Sequence, residues 1–397
     1  MTGSGPIFIP KGFKFSAVTA GIKVSGKPDL ALILADQPAS AAALFTKNLI
    51  VAAPVEVGRA SLKQSRGRVR AVVVNSGNAN CATGRQGIAA CKEICRRTSV
   101  LLQASASEIF PSSTGIIGLP LPSGKIVSSL KPLLQNAGTS IENLRGFANA
   151  ILTTDTRPKI ASVPLRNGKA AVTGVAKGSG MIHPQLATML VYILTDVAAP
   201  PAQLRAALRN ACADSFNAIS IDGDTSTNDT VLLLASGASG LQLGAVQREF
   251  ERALLEVCQS LSEQIVSDGE GVQHVVRLRI EQAKDRSEAL QVARAISTSL
   301  LVKTAWAGAD PNWGRMLAAV GRSGIPISPA KITVLIGDQK VCVGSVARAF
   351  DENAAHRELA GPESRITVRL GRGKALLNFL TADLTTEYVK INADYST

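Results

Sequence analysis

The chain has 397 residues, of which 46% are hydrophobic and 18% charged, and its formal net charge is +13. This balance is typical of a globular protein with a sizeable core and excludes an intrinsically disordered one. The apolar runs are shorter than the roughly 20 residues that span a bilayer, so no membrane-spanning helix is predicted. The first residues lack the basic and apolar regions of a signal peptide, so a cytoplasmic protein is expected.

The positive charge is compatible with nucleic-acid binding, because a basic surface attracts phosphate. The basic residues are spread along the chain, however, and aromatic residues, which stack on exposed bases, make up only 4%. A solvated basic surface is therefore favoured, and nucleic-acid binding stays a remote alternative. The six cysteines form no CxxC pair and are predicted to be buried free thiols rather than zinc ligands.

Strand and helix patterns alternate along the chain without a repeat. In chain order, the predicted elements are a strand at 71–75, helices at 87–103, 126–134 and 141–151, a strand at 188–197, a helix opened by Pro200 and Pro201, a strand at 231–234, the two longest amphipathic helices at 246–266 and 287–303, and two β-hairpins at 332–345 and 364–380. They predict a mixed α/β (α+β) fold in which helices cover sheets, with no flexible linker between independent domains.

The segment GVAKGSGMIHPQLATMLVYILTD, at 174–196, joins a glycine-rich stretch around Lys177 to a predicted buried strand. Glycines of this kind form a loop whose backbone approaches a ligand closely. Thr188, at the head of the strand, meets the requirement for an N-terminal nucleophile. Its hydroxyl attacks the carbonyl of Ala187, water cleaves the ester, and the freed α-amine, with a pKa of about 8, acts as general base. On local pattern alone, an ordinary strand threonine is the commoner case.

Several unusual strings carry a resemblance that reaches over nearly the whole chain. They are VVNSGNAN (73–80), SSTGIIGLPLP (112–122), LTTD (152–155), GVAKGSGMIHPQLATML (174–190), DGDTSTNDT (222–230), SDGEG (267–271), VKTAWAGADPNWGRMLAAVG (302–321) and INADYST (391–397). In this order they resemble the ornithine acetyltransferase (glutamate N-acetyltransferase) family, which cleaves its precursor between the Ala and Thr of an ATML motif.

The resemblance implies a layered helix–sheet–sheet–helix sandwich like that of N-terminal-nucleophile enzymes. It also implies cleavage into an α chain of residues 1–187 and a β chain of 188–397, which form one catalytic unit and assemble as an α2β2 heterotetramer. The implied reaction moves an acetyl group from N2-acetylornithine to glutamate in arginine biosynthesis. It needs no cofactor, although acetyl-CoA serves as a second acetyl donor in bifunctional members.

The resemblance also assigns roles to particular residues. Thr188 is the nucleophile, Ala187 and Thr188 flank the cleavage site, and Thr114 and Gly115 supply the oxyanion hole. The implied substrate contacts are Thr154, Lys177, Thr188, Glu270, Asn392 and Thr397. Lys177 suits the α-carboxylate of an amino acid, and Glu270 suits the side-chain ammonium of ornithine. The aspartates of DGDTSTNDT lack the full calcium-loop pattern, so a hydrogen-bonded structural loop beside the active site is favoured there over a metal site.

One departure from the family pattern lies close to Glu270, because His274 stands where lysine is common. This change is expected to affect substrate preference rather than the nucleophile. The alternative function within hydrolases is an N-terminal-nucleophile aminopeptidase or amidase of related fold, which would share the self-cleavage. The intact strings around Lys177 and Glu270, and INADYST at 391–397, favour the acyltransferase over it.

Overall fold

The computed structural model describes residues 5–183 and 189–394, which form two β-sheets covered by α-helices. The strands are β1 (Phe13–Val18), β2 (Leu30–Phe45), β3 (Arg68–Asn78), β4 (Ile109–Ile116), β5 (Lys159–Leu165), β6 (Ala170–Lys177), β7 (Leu190–Thr195), β8 (Ile219–Ser220), β9 (Thr230–Ala235), β10 (Val275–Ala283), β11 (Thr333–Ile336), β12 (Gln339–Val343), β13 (Val346–Ala347), β14 (Glu363–Arg369) and β15 (Ala375–Ala382). The α-helices are α1 (Ala53–Gln64), α2 (Gly84–Leu102), α3 (Ser123–Gln135), α4 (Ile141–Ala150), α5 (Pro201–Ala213), α6 (Leu243–Ser267), α7 (Arg286–Ser297), α8 (Leu300–Ala307), α9 (Trp313–Gly321), α10 (Glu352–Ala360) and α11 (Thr386–Asp394). The predicted mixed α/β fold is confirmed.

The first sheet has the strand order β4-β3-β2-β9-β7-β6-β5, with β1 paired to the first half of β2. Strands β7 and β9 run parallel to each other at its centre, and every residue of both is buried. Their apolar, partly β-branched sequences, LVYILT and TVLLLA, suit strands that are covered on both faces. The buried strands predicted at 188–197 and 231–234 are confirmed over the described residues.

Helices cover both faces of this sheet. Helices α5 and α6 pack on one face, α4 packs on the opposite face at the centre, α2 packs against β4, and α3 packs against β1 and β2. Pro201 occupies the first turn of α5, where its missing N–H costs no hydrogen bond. Ser140 caps α4 by accepting a hydrogen bond from the backbone N–H of Asn143. The six cysteines are all buried and free.

The second sheet has the order β13-β12-β11-β14-β10-β15-β8 and carries helices α7 to α10 against one core. The hairpin predicted at 332–345 is confirmed as β11 and β12. The hairpin predicted at 364–380 is wrong, because β10 lies between β14 and β15 and pairs with both. The connection at 370–374 crosses the end of β10, where the N–H groups of Arg372 and Gly373 both donate to the carbonyl of Gln282.

The long helix predicted at 287–303 is also wrong, since two helices, α7 and α8, divide this segment. The backbone N–H of Thr298 still donates to the carbonyl of Arg294, whereas Lys303 N donates back to Ser299, the residue that precedes α8. The break lets α7 and α8 turn separate apolar faces, including Val292 and Trp306, into the core of the second sheet. Among the described residues, no helix combines the length and apolar character needed to cross a membrane.

Helix α6 joins the two sheets into one unit. Its buried face packs on β5 and β6 of the first sheet, and its C-terminal half also contacts β8 and β15 of the second. Leu261 lies in this face, and a Cβ atom on Gly174 of β6 would lie 2.6 Å from its side chain. Glycine at 174 therefore allows the close approach of α6 to the sheet.

A buried ion cluster ties β5 to the end of α6. The Lys159 ammonium is fully buried and lies 2.7 Å from the Asp155 carboxylate and 2.6 Å from that of Asp268. The Asp155 carboxylate also accepts the backbone N–H of Gly178 at 2.6 Å. Burial alone would raise the pKa of Asp155, but the ammonium groups of Lys177 and Lys159 and the Gly178 amide outweigh it and lower the pKa to about 2.

We expect Leu261→Ala to lower the free energy of unfolding by about 2–5 kcal/mol, because it leaves a cavity between α6 and β6. Equilibrium unfolding in urea measures this change. The control is Glu256→Ala on the exposed face of the same helix, for which a change within about 0.5 kcal/mol is expected. Equal losses in both variants would contradict the packing role of Leu261.

We expect Lys159→Met to lower the free energy of unfolding at neutral pH by about 3–5 kcal/mol, because it leaves two buried carboxylates without their shared cation. The folded pKa of Asp155 is below its ordinary value of 3.8. Its contribution to stability is therefore complete above that value and is lost as the pH falls through about 2. The difference between wild type and variant should accordingly shrink in urea titrations as the pH is lowered below 4. A difference independent of pH would contradict the charge-based explanation.

Candidate active site

A cavity of about 170 Å³ lies where the first sheet meets helix α11 and the loop that follows α6. Its lining residues are Ala79, Thr114, Gly115, Ile117, Thr153, Thr154, Lys177, Gly180, Met181, Asp222, Asp224, Ser226, Thr227, Asn228, Glu270, Tyr388 and Asn392. All the described residues that the sequence assigned to the site are among them. Ala187, Thr188 and Thr397 lie outside the described residues.

The predicted oxyanion hole lies at one edge of the cavity, on β4. Thr114 pairs with both Ser76 and Asn78 of β3, because an irregularity in the register occurs there. Gly115 has a φ of 133°, and a Cβ atom at this position would lie 2.3 Å from the carbonyl carbon of Gly77. Only glycine therefore fits, and it brings the backbone of β4 against β3 at the cavity wall.

Lys177, the last residue of β6, provides a buried cation in the cavity. Its ammonium donates to the Thr153 hydroxyl at 3.0 Å. Burial lowers the pKa of Lys177, and the nearby carboxylate of Asp155 opposes this effect. The sequence interpretation of 174–180 as a loop is partly wrong, since Gly174 and Lys177 belong to β6 and the loop begins at Gly178. A buried lysine whose ammonium contacts one neutral hydroxyl is suited to bind a carboxylate of a ligand.

A chain of hydrogen bonds connects Thr154, Glu270 and Asn392 around the backbone of Ser179. The hydroxyls of Thr154 and Ser179 lie 2.7 Å apart, and the N–H of Glu270 donates to the Ser179 carbonyl at 2.9 Å. The Asn392 amide donates to the Glu270 carboxylate at 2.9 Å. A Cβ atom on Gly180 would lie 2.6 Å from that carboxylate, so glycine leaves room for Glu270. These contacts join residues from three distant parts of the sequence.

The loop of DGDTSTNDT, which was predicted to be a hydrogen-bonded structural loop beside the active site, forms a further wall of the cavity. The Asp222 carboxylate accepts the backbone N–H groups of Met181 and Ile182, at 2.5 and 2.9 Å, and burial raises its pKa to about 6. Both its oxygens thus hold the backbone that leads toward position 188, as expected of a structural loop. Asn228 and Tyr388 were missed as cavity residues. Tyr388 lies one helical turn before Asn392, a spacing that could have identified it.

Met189 marks where the described chain resumes after Thr188. Its backbone N–H donates to the Asp229 carboxylate at 3.0 Å, and its carbonyl accepts the N–H of Thr230 at 3.1 Å. In the sheet, Leu190 pairs with Lys177 on one side and with Thr230 on the other. The residue that follows the predicted nucleophile is therefore anchored by Asp229 and Thr230, which directly follow the cavity residue Asn228.

The departure at His274 lies away from the cavity wall. The Nδ1 atom of its ring lies 2.9 Å from the carbonyl oxygen of Gly361, which directly follows α10. Its neighbour Gln273 donates its backbone N–H to the Asp383 carboxylate. His274 thus contacts the backbone beside the second sheet and does not line the cavity. The effect on substrate preference that we expected from its position near Glu270 is therefore not supported by a direct contact with the cavity.

Comparison with known proteins gives consistent matches along the chain. The ArgJ family model matches residues 14–397. The arginine biosynthesis bifunctional protein ArgJ of Chlorobaculum tepidum is 41% identical over 396 residues, covering 99% of this chain and 97% of that protein. The protein of the same description from Geobacter sulfurreducens is 42% identical over 397 residues, covering 98% of this chain and 99% of that protein. The solved structure of the ornithine acetyltransferase of Mycobacterium tuberculosis, complexed with ornithine, is 34% identical, with a TM-score of 0.42, and covers 46% of this chain and 94% of that one.

The family match and the two full-length relatives confirm the resemblance read from the motifs, and they do not favour the aminopeptidase alternative. The matched region includes every string that carried the resemblance, from 73–80 to 391–397. The chain therefore belongs to the ArgJ family.

Proposed function

We propose that this chain is an acyltransferase of arginine biosynthesis that moves an acetyl group from N2-acetylornithine to glutamate through an ester on Thr188. The observation that carries the proposal is the single cavity that joins Thr114, Lys177, Glu270 and Asn392, residues drawn from both sides of the 187–188 bond. Membership of the ArgJ family supports the reaction class. The aminopeptidase and nucleic-acid alternatives have no comparable support.

The first step of the proposed mechanism is self-cleavage. The Thr188 hydroxyl attacks the carbonyl carbon of Ala187, and the peptide nitrogen leaves as the α-amine of Thr188. Water then hydrolyses the resulting ester and frees the Ala187 carboxylate and the Thr188 hydroxyl. The products are an α chain of 1–187 and a β chain of 188–397. They stay together because β6 and β7, on opposite sides of the bond, pair along the whole length of β7.

The second step is acetyl transfer. The α-amine of Thr188 takes the proton from its own hydroxyl, and the hydroxyl oxygen attacks the acetyl carbonyl of the donor. Donors at Thr114 and Gly115 stabilise the negative oxygen of the tetrahedral intermediate. Ornithine leaves with the proton on its nitrogen. The α-amine of glutamate then attacks the acetyl ester by the reverse path, which gives N-acetylglutamate and free Thr188.

Recognition of the donor follows from the charges in the cavity. Lys177 binds the α-carboxylate, and Glu270, held by the Asn392 amide, binds the side-chain ammonium of ornithine. Thr154 and Thr397 complete the polar contacts. The mechanism uses only groups of the chain and needs no bound cofactor, and acetyl-CoA is proposed as a second acetyl donor. We further propose a cytoplasmic α2β2 assembly.

We expect Thr188→Ala to remain a single chain and to form no acetyl adduct, because it removes the nucleophile of both steps. Intact mass under denaturing conditions, before and after addition of N2-acetylornithine, measures both outcomes. Wild type should give two chains, with one acetyl group added to the chain that begins at Thr188. Thr333→Ala, which also replaces the first threonine of a strand, should behave as wild type. Acetyl transfer by Thr188→Ala would overturn the mechanism.

We expect Lys177→Gln to raise KM for N2-acetylornithine and for glutamate by about 10- to 100-fold, because both lose a charged partner for their carboxylate. Glu270→Gln should raise KM for N2-acetylornithine but not for glutamate. Steady-state kinetics with each substrate measures these changes, with Lys131→Gln on the exposed surface of α3 as control.

The pH dependence gives a second check on Lys177. Its pKa lies below the ordinary value of 10.5, and only its protonated form binds carboxylate. In wild type, KM for N2-acetylornithine and for glutamate should therefore begin to rise at a pH below 10.5. Lys177→Gln should abolish this rise. A rise that persists in Lys177→Gln would assign the titration to another group.

A further inference from the structure

The segment Asn228–Thr230 connects the two halves of the proposed catalytic centre. The Asn228 amide nitrogen donates to the carbonyl of Ser113 at 2.9 Å and to that of Ala79 at 2.7 Å. Ser113 directly precedes Thr114, and Ala79 also lines the cavity. Asn228 is buried, so these two bonds are shielded from competing water. Through them, the segment holds the strand ends that form the oxyanion edge.

The next two residues of the same segment, Asp229 and Thr230, hold the other half of the proposed catalytic centre. The fully buried carboxylate of Asp229 accepts the Met189 N–H on Oδ1, and the N–H of Thr230 donates to the Met189 carbonyl. Both backbone polar groups of the residue that follows Thr188 are thus fixed by consecutive residues. The oxyanion edge and the nucleophile are therefore linked through two neighbouring residues, Asn228 and Asp229.

The Asp229 carboxyl is fully buried where it accepts the Met189 N–H. Its Oδ2 atom is buried and has no hydrogen-bond partner within the described part of the chain. Burial raises the pKa of Asp229, while the Met189 N–H, the Lys177 ammonium and the side chains of Thr46 and Ser226 oppose that rise. Removing the carboxyl would leave the buried Met189 N–H without its acceptor.

We propose that Asn228 and Asp229 are positioning residues that set the placement of the Thr188 hydroxyl relative to the oxyanion hole at Thr114 and Gly115. The inference rests on the proposed function, because it takes Thr188 as the nucleophile. Displacement of a reacting group by about 1 Å can lower a rate by about 100-fold. Loss of either anchor should therefore reduce turnover rather than substrate binding.

The test compares Asp229→Leu and Asp229→Asn with Asn228→Ala. Asp229→Leu removes the acceptor for Met189, whereas in Asp229→Asn the amide oxygen still accepts that N–H. We expect kcat to fall by about 100-fold in Asp229→Leu and in Asn228→Ala, with KM for N2-acetylornithine within about threefold of wild type. Asp229→Asn should keep kcat within about tenfold. Steady-state kinetics and the rate of acetylation of the chain beginning at Thr188 measure these effects.

Asp383 offers a matched control. It is also buried, one carboxylate oxygen accepts a backbone N–H, here that of Gln273, and the other has no partner among the described residues. Neither Asp383 nor Gln273 lines the cavity. Asp383→Leu should therefore lose stability in thermal unfolding, as Asp229→Leu does, but should keep kcat per folded molecule within about threefold of wild type.

Each outcome decides the inference. Unchanged kcat in Asp229→Leu and Asn228→Ala, or equal losses in Asp229→Leu and Asp383→Leu, would overturn it. An Asp229→Asn variant as slow as Asp229→Leu would also overturn it, because the acceptor alone would then not suffice. If Asp229→Leu fails to fold, the loss of kcat in Asn228→Ala still decides, because that variant keeps the Asp229 carboxyl and removes the two bonds to Ser113 and Ala79. Failure of the proposed function is separate, since wild type itself would then gain no acetyl group.

Discussion

The parallel pairing of β7 with β9 is the interaction on which the site depends. Its register places Leu190 opposite Thr230, and the antiparallel pairing of β7 with β6 places the same residue opposite Lys177. Met189 then meets Asp229, and the cation of Lys177 lies on the neighbouring strand. Since strand side chains alternate between faces, a slip of one residue would exchange the faces of the whole strand. The buried apolar faces of β7 hold this register, so the core of the protein also sets the geometry of the site.

The polar groups of the site lie beside that apolar core, and their charges are compensated in groups. Lys159 lies between two carboxylates, one of them next to Thr154 in sequence and the other two residues before Glu270. Removing water from an unpaired charge costs several kcal/mol. The cluster also fixes the backbone on both sides of the cavity, because Asp155 accepts the N–H of Gly178 and Asp268 accepts that of Thr156. Lys177 remains with a hydroxyl partner, and its charge is available to a ligand.

Periodicity predicted which segments are buried, and the family strings predicted which residues gather at the site. The strand LVYILT and the helix beginning at Ile141 follow from their side chains alone. The order β14-β10-β15 does not, because periodicity reports a buried face and not the partner strand. Residues 370–374 are compatible with a hairpin, yet they also reach across one intervening strand, a distance of about 10 Å. Asp229 was missed for a related reason: its role depends on a contact 40 positions away, and an acidic residue in a loop is ordinarily solvated.

The choice of general base follows from where the histidines lie. The ring of His183 contacts the hydroxyl of Ser220, and burial lowers its pKa to about 4. His274 and His356 each contact a backbone carbonyl, and none of the three lines the cavity. Two carboxylates of the cavity are engaged as well, Asp222 by backbone amides and Glu270 by Asn392. The proposed base, the α-amine of Thr188, is created by cleavage of the chain itself, has an ordinary pKa of about 8 and needs no partner side chain. Self-cleavage would thus supply both the nucleophile and its base at a site that none of the three histidines lines.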